Sequence, residues 1–149
     1  MDHSVPNVKI EFPLEIVDGY PPISVELLNA RPVAASQFEL LNTPFFAKNV
    51  AYGDSVTAVT QQDGRLIFES CAEFSGFKAL SVILLDDSLD VELLDLLRGL
   101  QCVIEYGEFG NLRMVAVGVP DSVDYIPTIR NSLDEYERLG KLSYAELVA

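Results

Sequence analysis

Apolar and polar residues alternate along five short runs in the first half of the chain. The runs cover residues 8–15, 23–33, 36–42, 54–61 and 66–74. Alternation with a period of two is typical of half-buried β-strands, and the Asp63-Gly64 pair between the last two runs is a turn signal. Connections this short exclude parallel crossovers. The pattern therefore predicts a small, antiparallel, β-barrel-like unit over residues 8–76.

The pattern changes after Gly76, where residues 78–85 (KALSVILL) form a nearly continuous apolar run. The next residues have helical spacing, begin with acidic and capping side chains, and end in Arg98-Gly99. These are signals of a helix start and stop. We expect a helix over about 88–98, with Leu94 facing a sheet.

Two apolar strand-like runs follow this helix, over residues 102–108 and 112–120. The C-terminal region then places Ile126, Ile129, Leu133 and Tyr136 at helical intervals, with Pro127 in the first turn. The predicted order is β-α-β-β-α, most of a ferredoxin-like unit, over residues 77–149. The sequence thus predicts an α+β fold in which both halves pack as one unit.

Composition changes this picture little. A chain of 149 residues, 49% of them hydrophobic, can bury a sizeable core. Residues 1–7 are expected to be a flexible tail, and no apolar run approaches the roughly 20 residues of a membrane helix. The first residues also lack the basic and apolar regions of a secretory signal, so a cytoplasmic location and no membrane partner are expected.

The charge is strongly acidic, with 23 acidic and 10 basic residues and a net charge of −13. Binding to nucleic acid depends on clustered lysine and arginine, so a nucleic-acid partner is not expected. Two interpretations of the acidity stay open. It can keep the protein soluble, or it can steer a basic protein partner toward the surface.

Catalytic chemistry has few candidates in this sequence. The one histidine is His3, and the two cysteines, Cys71 and Cys102, are expected to be reduced thiols. A metal site of the Cys/His type would need more ligands, so neither a metal nor a cofactor is expected. Asp86 and Asp87 could bind magnesium, although a helix cap is the simpler interpretation.

The run NTPFFAKNVAYGD, here called the 42–54 segment, has the composition of a binding-site lip. Pro44 argues against a central strand, and two adjacent phenylalanines on an extended chain would point to opposite faces. One interpretation makes the segment a cover that closes the open end of the barrel. The other makes one phenylalanine, with Lys48 and Tyr52, a recognition patch.

Three blocks resemble a known bacterial family: residues 18–30 (DGYPPISVELLNA), 40–54 (LLNTPFFAKNVAYGD) and 119–144 (VPDSVDYIPTIRNSLDEYERLGKLSY). They are similar to the signature blocks of domain-of-unknown-function family 4265. The family has no established activity, so the resemblance implies no catalytic residues. Its members commonly have a histidine after the Ser-Gly pair where this chain has Phe77, which favours binding over catalysis.

These observations predict a non-enzymatic acidic binding protein, such as an immunity-type inhibitor that covers a basic toxin. A small-ligand or regulatory binding module and a weak carboxylate-dependent hydrolase are the alternatives. A monomer or weak dimer is expected. The candidate partner-binding residues are Phe45, Phe46, Lys48, Tyr52, Asp87, Asp90, Asp95, Asp134, Glu135 and Glu137.

Overall fold

A computed structural model describes residues 6–149, and the first half of this region is a closed five-stranded barrel. Its strands are β1 (Val8–Pro13), β2 (Val25–Ala34), β3 (Gln37–Leu40), β4 (Ser55–Thr60) and β5 (Leu66–Glu73). Successive strands are antiparallel, but β1 and β5 close the barrel in parallel. When five successive strands alternate in direction, the first and the fifth run in the same direction. The pair that closes the barrel must therefore be parallel. The predicted barrel-like half is confirmed, with this one correction.

The second half contains two short helices and a four-stranded antiparallel sheet. Its elements are β6 (Lys78–Leu84), α1 (Leu89–Gly99), β7 (Val103–Phe109), β8 (Leu112–Val119), a π-helical turn (Ile126–Arg130), α2 (Asn131–Arg138) and β9 (Leu142–Val148). The strand order is β7-β8-β6-β9. The predicted flexible tail over residues 1–7 lies mostly outside the described region, which begins at residue 6.

The predicted order ended with a helix, and this was wrong. The structure has a further strand, β9, after that helix. Gly140, with a φ of 74°, ends α2 and turns the chain into β9. The run LSYAELV includes alanine and glutamate, which are not strand formers. Pairing with β6 along the full length of the run makes it a strand, so tertiary contacts decide its structure.

Both helices pack on one face of the sheet. Helix α1 buries Leu89, Leu93 and Leu97, and the C-terminal helical region buries Ile129 and Leu133 in the same cluster. The expected first helix is confirmed, with Leu94 half-buried at the edge of this cluster. No helix among the described residues is long and apolar enough to cross a membrane.

The opposite face of the sheet has small residues near its centre. On β6, Ser81 has Ala116 of β8 as its cross-strand partner on one side and Ala145 of β9 on the other. Gly118 lies on the same face, two residues from Ala116. Small side chains leave room above the sheet, and the connection from β3 to β4 occupies part of it.

Candidate functional site

The 42–54 segment is this connection, and it lies between the barrel and the small-residue face of the sheet. Thr43, Phe46, Val50 and Asp54 are all buried within it. It forms no strand. Its burial is consistent with the interpretation of the segment as a cover, although the segment lies between barrel and sheet and was expected to close the open end of the barrel.

Glu26 of β2 holds the middle of the segment from the barrel side. Its buried carboxylate accepts hydrogen bonds from the backbone N–H groups of Phe45 (2.6 Å), Phe46 (3.1 Å) and Ala47 (2.8 Å). Burial raises the pKa of Glu26, and the three backbone hydrogen bonds oppose that shift. Three consecutive N–H groups converge on one side chain, so the segment turns around Glu26.

Glu105 of β7 holds the beginning of the segment from the sheet side. Its carboxylate accepts hydrogen bonds from Asn42 Nδ2 (2.7 Å) and from the backbone N–H of Thr43 (2.6 Å). Burial raises the pKa of Glu105, and the charge of Glu26 raises it further. One acid from each half of the protein therefore fixes residues 42–47.

Two glycines let the segment approach the sheet closely. A Cβ atom at Gly118 would lie 2.6 Å from Thr43 Oγ1, and one at Gly107 would lie 2.9 Å from Phe45 Cζ. Real Cβ atoms do not approach other atoms this closely. The glycines on β7 and β8 are therefore part of the seat for Thr43 and Phe45.

Replacing Glu105 with glutamine should cost more stability at about pH 4 than at about pH 7. The pKa of Glu105 is raised in the folded protein, so the native state keeps a proton that the unfolded chain loses above about pH 4.3. The contribution of Glu105 to the stability of the parent therefore falls as pH rises through this window, whereas a glutamine at this position does not titrate. Urea unfolding of both proteins across this range measures the difference. A difference that is constant with pH would contradict the shift.

A groove of about 590 Å³ opens beside the segment, between the barrel, the sheet and the loop that follows β1. Its apolar walls include Phe12, Tyr20, Phe45, Phe46, Phe68 and Leu147. Phe12 and Phe68 stack with ring centroids 4.6 Å apart, and Tyr20 packs edge-on against Phe46 at 5.7 Å. Both ring pairs have favourable aromatic packing geometries, and they give the groove apolar walls.

Besides the Tyr20 hydroxyl, three polar side chains line the same groove, those of Glu15, Lys48 and Ser81. Lys48 and Glu15 are exposed, and neither forms an ion pair within the described part of the chain. Ser81 is buried in the sheet, between Ala116 and Ala145. Because its neighbours on the sheet are alanines, the groove extends down to the Ser81 hydroxyl.

Of the four predicted site residues in the 42–54 segment, three line the groove and one does not. Phe45, Phe46 and Lys48 line it. The two phenylalanines do not point to opposite faces as expected, because both pack edge-on against Phe109, at 5.1 and 4.9 Å. Tyr52 lies away from the groove, edge-on to Phe77 at 5.1 Å.

The predicted acidic residues lie on the helical side of the sheet, opposite the groove. Most have local partners. Asp87 and Asp90 both pair with Arg113 at 2.7 Å, and Glu135 pairs with Arg138. The hydroxyl of Tyr144 donates to Asp134, and its backbone N–H donates to Glu137. Asp95 is exposed and has no side-chain hydrogen bond or ion pair within residues 6–149. The two sets of candidate residues therefore do not form one surface.

The described residues hold no metal-binding cluster and no activated thiol. Within residues 6–149, no three His, Cys, Asp or Glu side chains are arranged to hold a metal ion, and His3 lies outside this region. Cys71 and Cys102 are free thiols. Burial raises the pKa of both, that of Cys102 to about 11, so neither is an activated thiolate at neutral pH.

Comparison with known proteins gives a family and a fold. Residues 26–144 match the family model described as Domain of unknown function (DUF4265). The structure is similar to the crystal structure of a hypothetical protein from Neisseria gonorrhoeae, with a TM-score of 0.81 and 22% sequence identity over 98% of this chain and 97% of that chain. At this identity the likeness shows a shared fold. No curated protein matches the sequence.

Proposed function

The chain belongs to domain-of-unknown-function family 4265, and we propose that it is a non-enzymatic module that binds a small, largely apolar ligand in the groove. The observation behind this proposal is an aromatic-walled groove of about 590 Å³ with few polar side chains. Apolar clefts of roughly 300–1,000 Å³ with a few placed polar groups are typical of small-molecule sites.

The anchoring of the 42–54 segment supports this proposal. Phe46 forms part of the groove wall, and its backbone N–H is held by the buried carboxylate of Glu26. A wall that is fixed in advance removes an ordering cost from ligand binding. The hydrogen bonds that hold the segment against the barrel thus also fix the position of Phe46 in the groove wall.

Lys48 supplies a charge at the exposed side of the groove. In a chain with a net charge of −13, a lysine without an ion-pair partner in the described region is available to an anionic ligand group. Glu15 lines the groove as well and would oppose a second negative charge. The outer end of the ligand is therefore expected to be neutral or singly anionic.

A blocking variant tests the proposal with the fluorescent probe 8-anilinonaphthalene-1-sulfonate, which is aromatic and carries one sulfonate. We expect saturable binding to the parent and a loss of at least about tenfold in affinity for Ala145→Leu, because Ala145 is exposed and its enlargement fills the groove. Ser143→Leu is the matched control, since Ser143 is exposed on the same strand and does not line the groove. Equal binding by all three proteins would contradict the proposal.

A basic protein partner is the second candidate, in the manner of an immunity-type inhibitor. The net charge and the exposed Asp95 on α1 favour it. Asp95→Asn should slow association with such a partner at low ionic strength and have little effect at physiological salt, where exposed charges are screened. Equal association rates at low salt would remove this support.

A carboxylate-dependent hydrolase has the least support. Glu26 and Glu105 are the acids with pKa values raised by burial, and both accept hydrogen bonds from the backbone of the 42–54 segment. Neither lines the groove. A ligand there would not meet these two carboxylates.

We also infer a ferredoxin-like arrangement for residues 77–149. The element order β-α-β-β-α-β and the antiparallel strand order β7-β8-β6-β9 support it. So does the packing of both helices on one face of the sheet. This arrangement leaves the other face available to the barrel and to the groove.

A further inference from the structure

Ser81 is a buried polar side chain with an unused hydrogen-bonding group. Its exposed fraction is 3%, and its Oγ has no hydrogen-bond partner within residues 6–149. It lines the groove at the centre of β6. A buried hydroxyl without a partner lowers the stability of a folded protein, so its presence beside a groove calls for a ligand group that completes the hydrogen bond.

We propose that Ser81 determines the specificity of the groove, by binding an uncharged hydrogen-bonding group at the buried end of the ligand. This inference rests on the proposed small-ligand function. A charged group would lose its hydration among the aromatic walls and would meet only hydroxyl groups there. A serine hydroxyl can both donate and accept, so a ligand hydroxyl, amide or carbonyl would satisfy it.

Tyr20 places a second hydroxyl close to Ser81 in the groove. Its ring packs edge-on against Phe46, and its hydroxyl approaches Ser81 Oγ without the geometry of a hydrogen bond. Burial raises the pKa of Tyr20, and the nearby Ser81 hydroxyl opposes this shift, so the tyrosine stays neutral. The polar end of a ligand would therefore meet two neighbouring, neutral hydroxyl groups.

The groove thus favours a ligand that carries one polar group at the end of an otherwise apolar molecule. Phe12, Phe46 and Phe68 provide flat apolar contacts for an aromatic or similarly flat body. Ser81 and Tyr20 contact its neutral buried end, and Lys48 lies at the exposed side. The chemical class is a small aromatic alcohol, amide or carbonyl compound, with or without one anionic group at its outer end.

The test compares 1-naphthol with 1-methylnaphthalene, which have the same ring system and differ in a hydroxyl or a methyl group. Displacement of 8-anilinonaphthalene-1-sulfonate measures the affinity of each, and the ratio of the two affinities measures the preference for a hydroxyl. In Ser81→Ala this ratio is expected to fall about three- to tenfold, the range of a single net hydrogen bond. Ser143→Ala, an exposed serine outside the groove, should leave the ratio unchanged.

Unfolding in urea provides the second readout. Ser81→Ala should have the same or a higher midpoint than the parent, because it removes a buried hydroxyl that has no partner. A lower midpoint would overturn the inference by showing that the hydroxyl has a structural partner. An unchanged ratio in Ser81→Ala, with both compounds still displacing the fluorescent probe, would also overturn it and leave the groove proposal intact. If Ala145→Leu does not weaken binding of the fluorescent probe, the groove proposal itself is rejected.

Discussion

Replacing Glu26 with alanine is expected to destabilise the protein by at least about 3 kcal/mol and to abolish binding in the groove. The carboxylate accepts hydrogen bonds from three backbone N–H groups, those of Phe45, Phe46 and Ala47. Alanine would leave these buried donors unpaired, and each unpaired buried donor costs about 1–3 kcal/mol. Because the segment would lose its anchor, the groove wall at Phe46 would become mobile. Urea unfolding and titration with 8-anilinonaphthalene-1-sulfonate measure the two effects.

Two variants provide the controls for Glu26→Ala. Glu26→Gln keeps one acceptor oxygen and should lose less stability. Glu39→Ala removes an exposed carboxylate that pairs with Arg31 at 2.8 Å, and such surface pairs contribute only about 0–1 kcal/mol. If Glu26→Ala were no more harmful than Glu39→Ala, Glu26 would not be the anchor of the segment.

Replacing Leu93 with alanine is expected to destabilise the protein by about 2–5 kcal/mol while leaving groove affinity unchanged in the folded protein. Leu93 is fully buried between α1 and the sheet, on the face opposite the groove. Truncation removes packed methyl groups and leaves a cavity. The same unfolding and titration measurements apply, so the two large effects differ in their consequence for binding.

Two other positions on α1 provide comparisons for the stability loss of Leu93→Ala. Leu94 is half-buried, so Leu94→Ala should cost less than Leu93→Ala. Val91 is 72% exposed, so Val91→Ala should change stability by no more than about 0.5 kcal/mol. A larger loss at Leu94 than at Leu93 would show that a different face of the helix meets the sheet.

Much of the fold could be predicted from local patterns. Alternation along the first strands predicts the barrel, and capping signals around Asp86 and Arg98 predict α1 within one residue. Strand β9 could not be predicted in this way, because its local sequence has weak strand preference and its structure depends on pairing with β6. The closing pair β1–β5 likewise depends on contacts between residues more than 50 positions apart.

Only part of the candidate site could be predicted from the sequence. The phenylalanines and Lys48 stand in one conspicuous run, and they do lie together at the groove. Glu26 was missed because both faces of its strand contain apolar residues, so alternation does not show that Glu26 shares the buried face with Leu28 and Ala30. Ser81 was missed because a serine within an apolar strand gives no sign of lacking a partner. Phe12, Phe68, Ser81 and Ala145 meet only through the tertiary fold.

The most direct test of the central claim is a nuclear magnetic resonance titration of the isotope-labelled parent with 8-anilinonaphthalene-1-sulfonate. If the groove between barrel and sheet is the binding site, saturable shifts should be concentrated at groove residues, including the amides of Phe12, Phe46, Ser81 and Ala145. They should be absent from the helical face, including Asp95 and Glu137. Shifts concentrated on α1 and α2, or no saturable shifts at all, would contradict the claim.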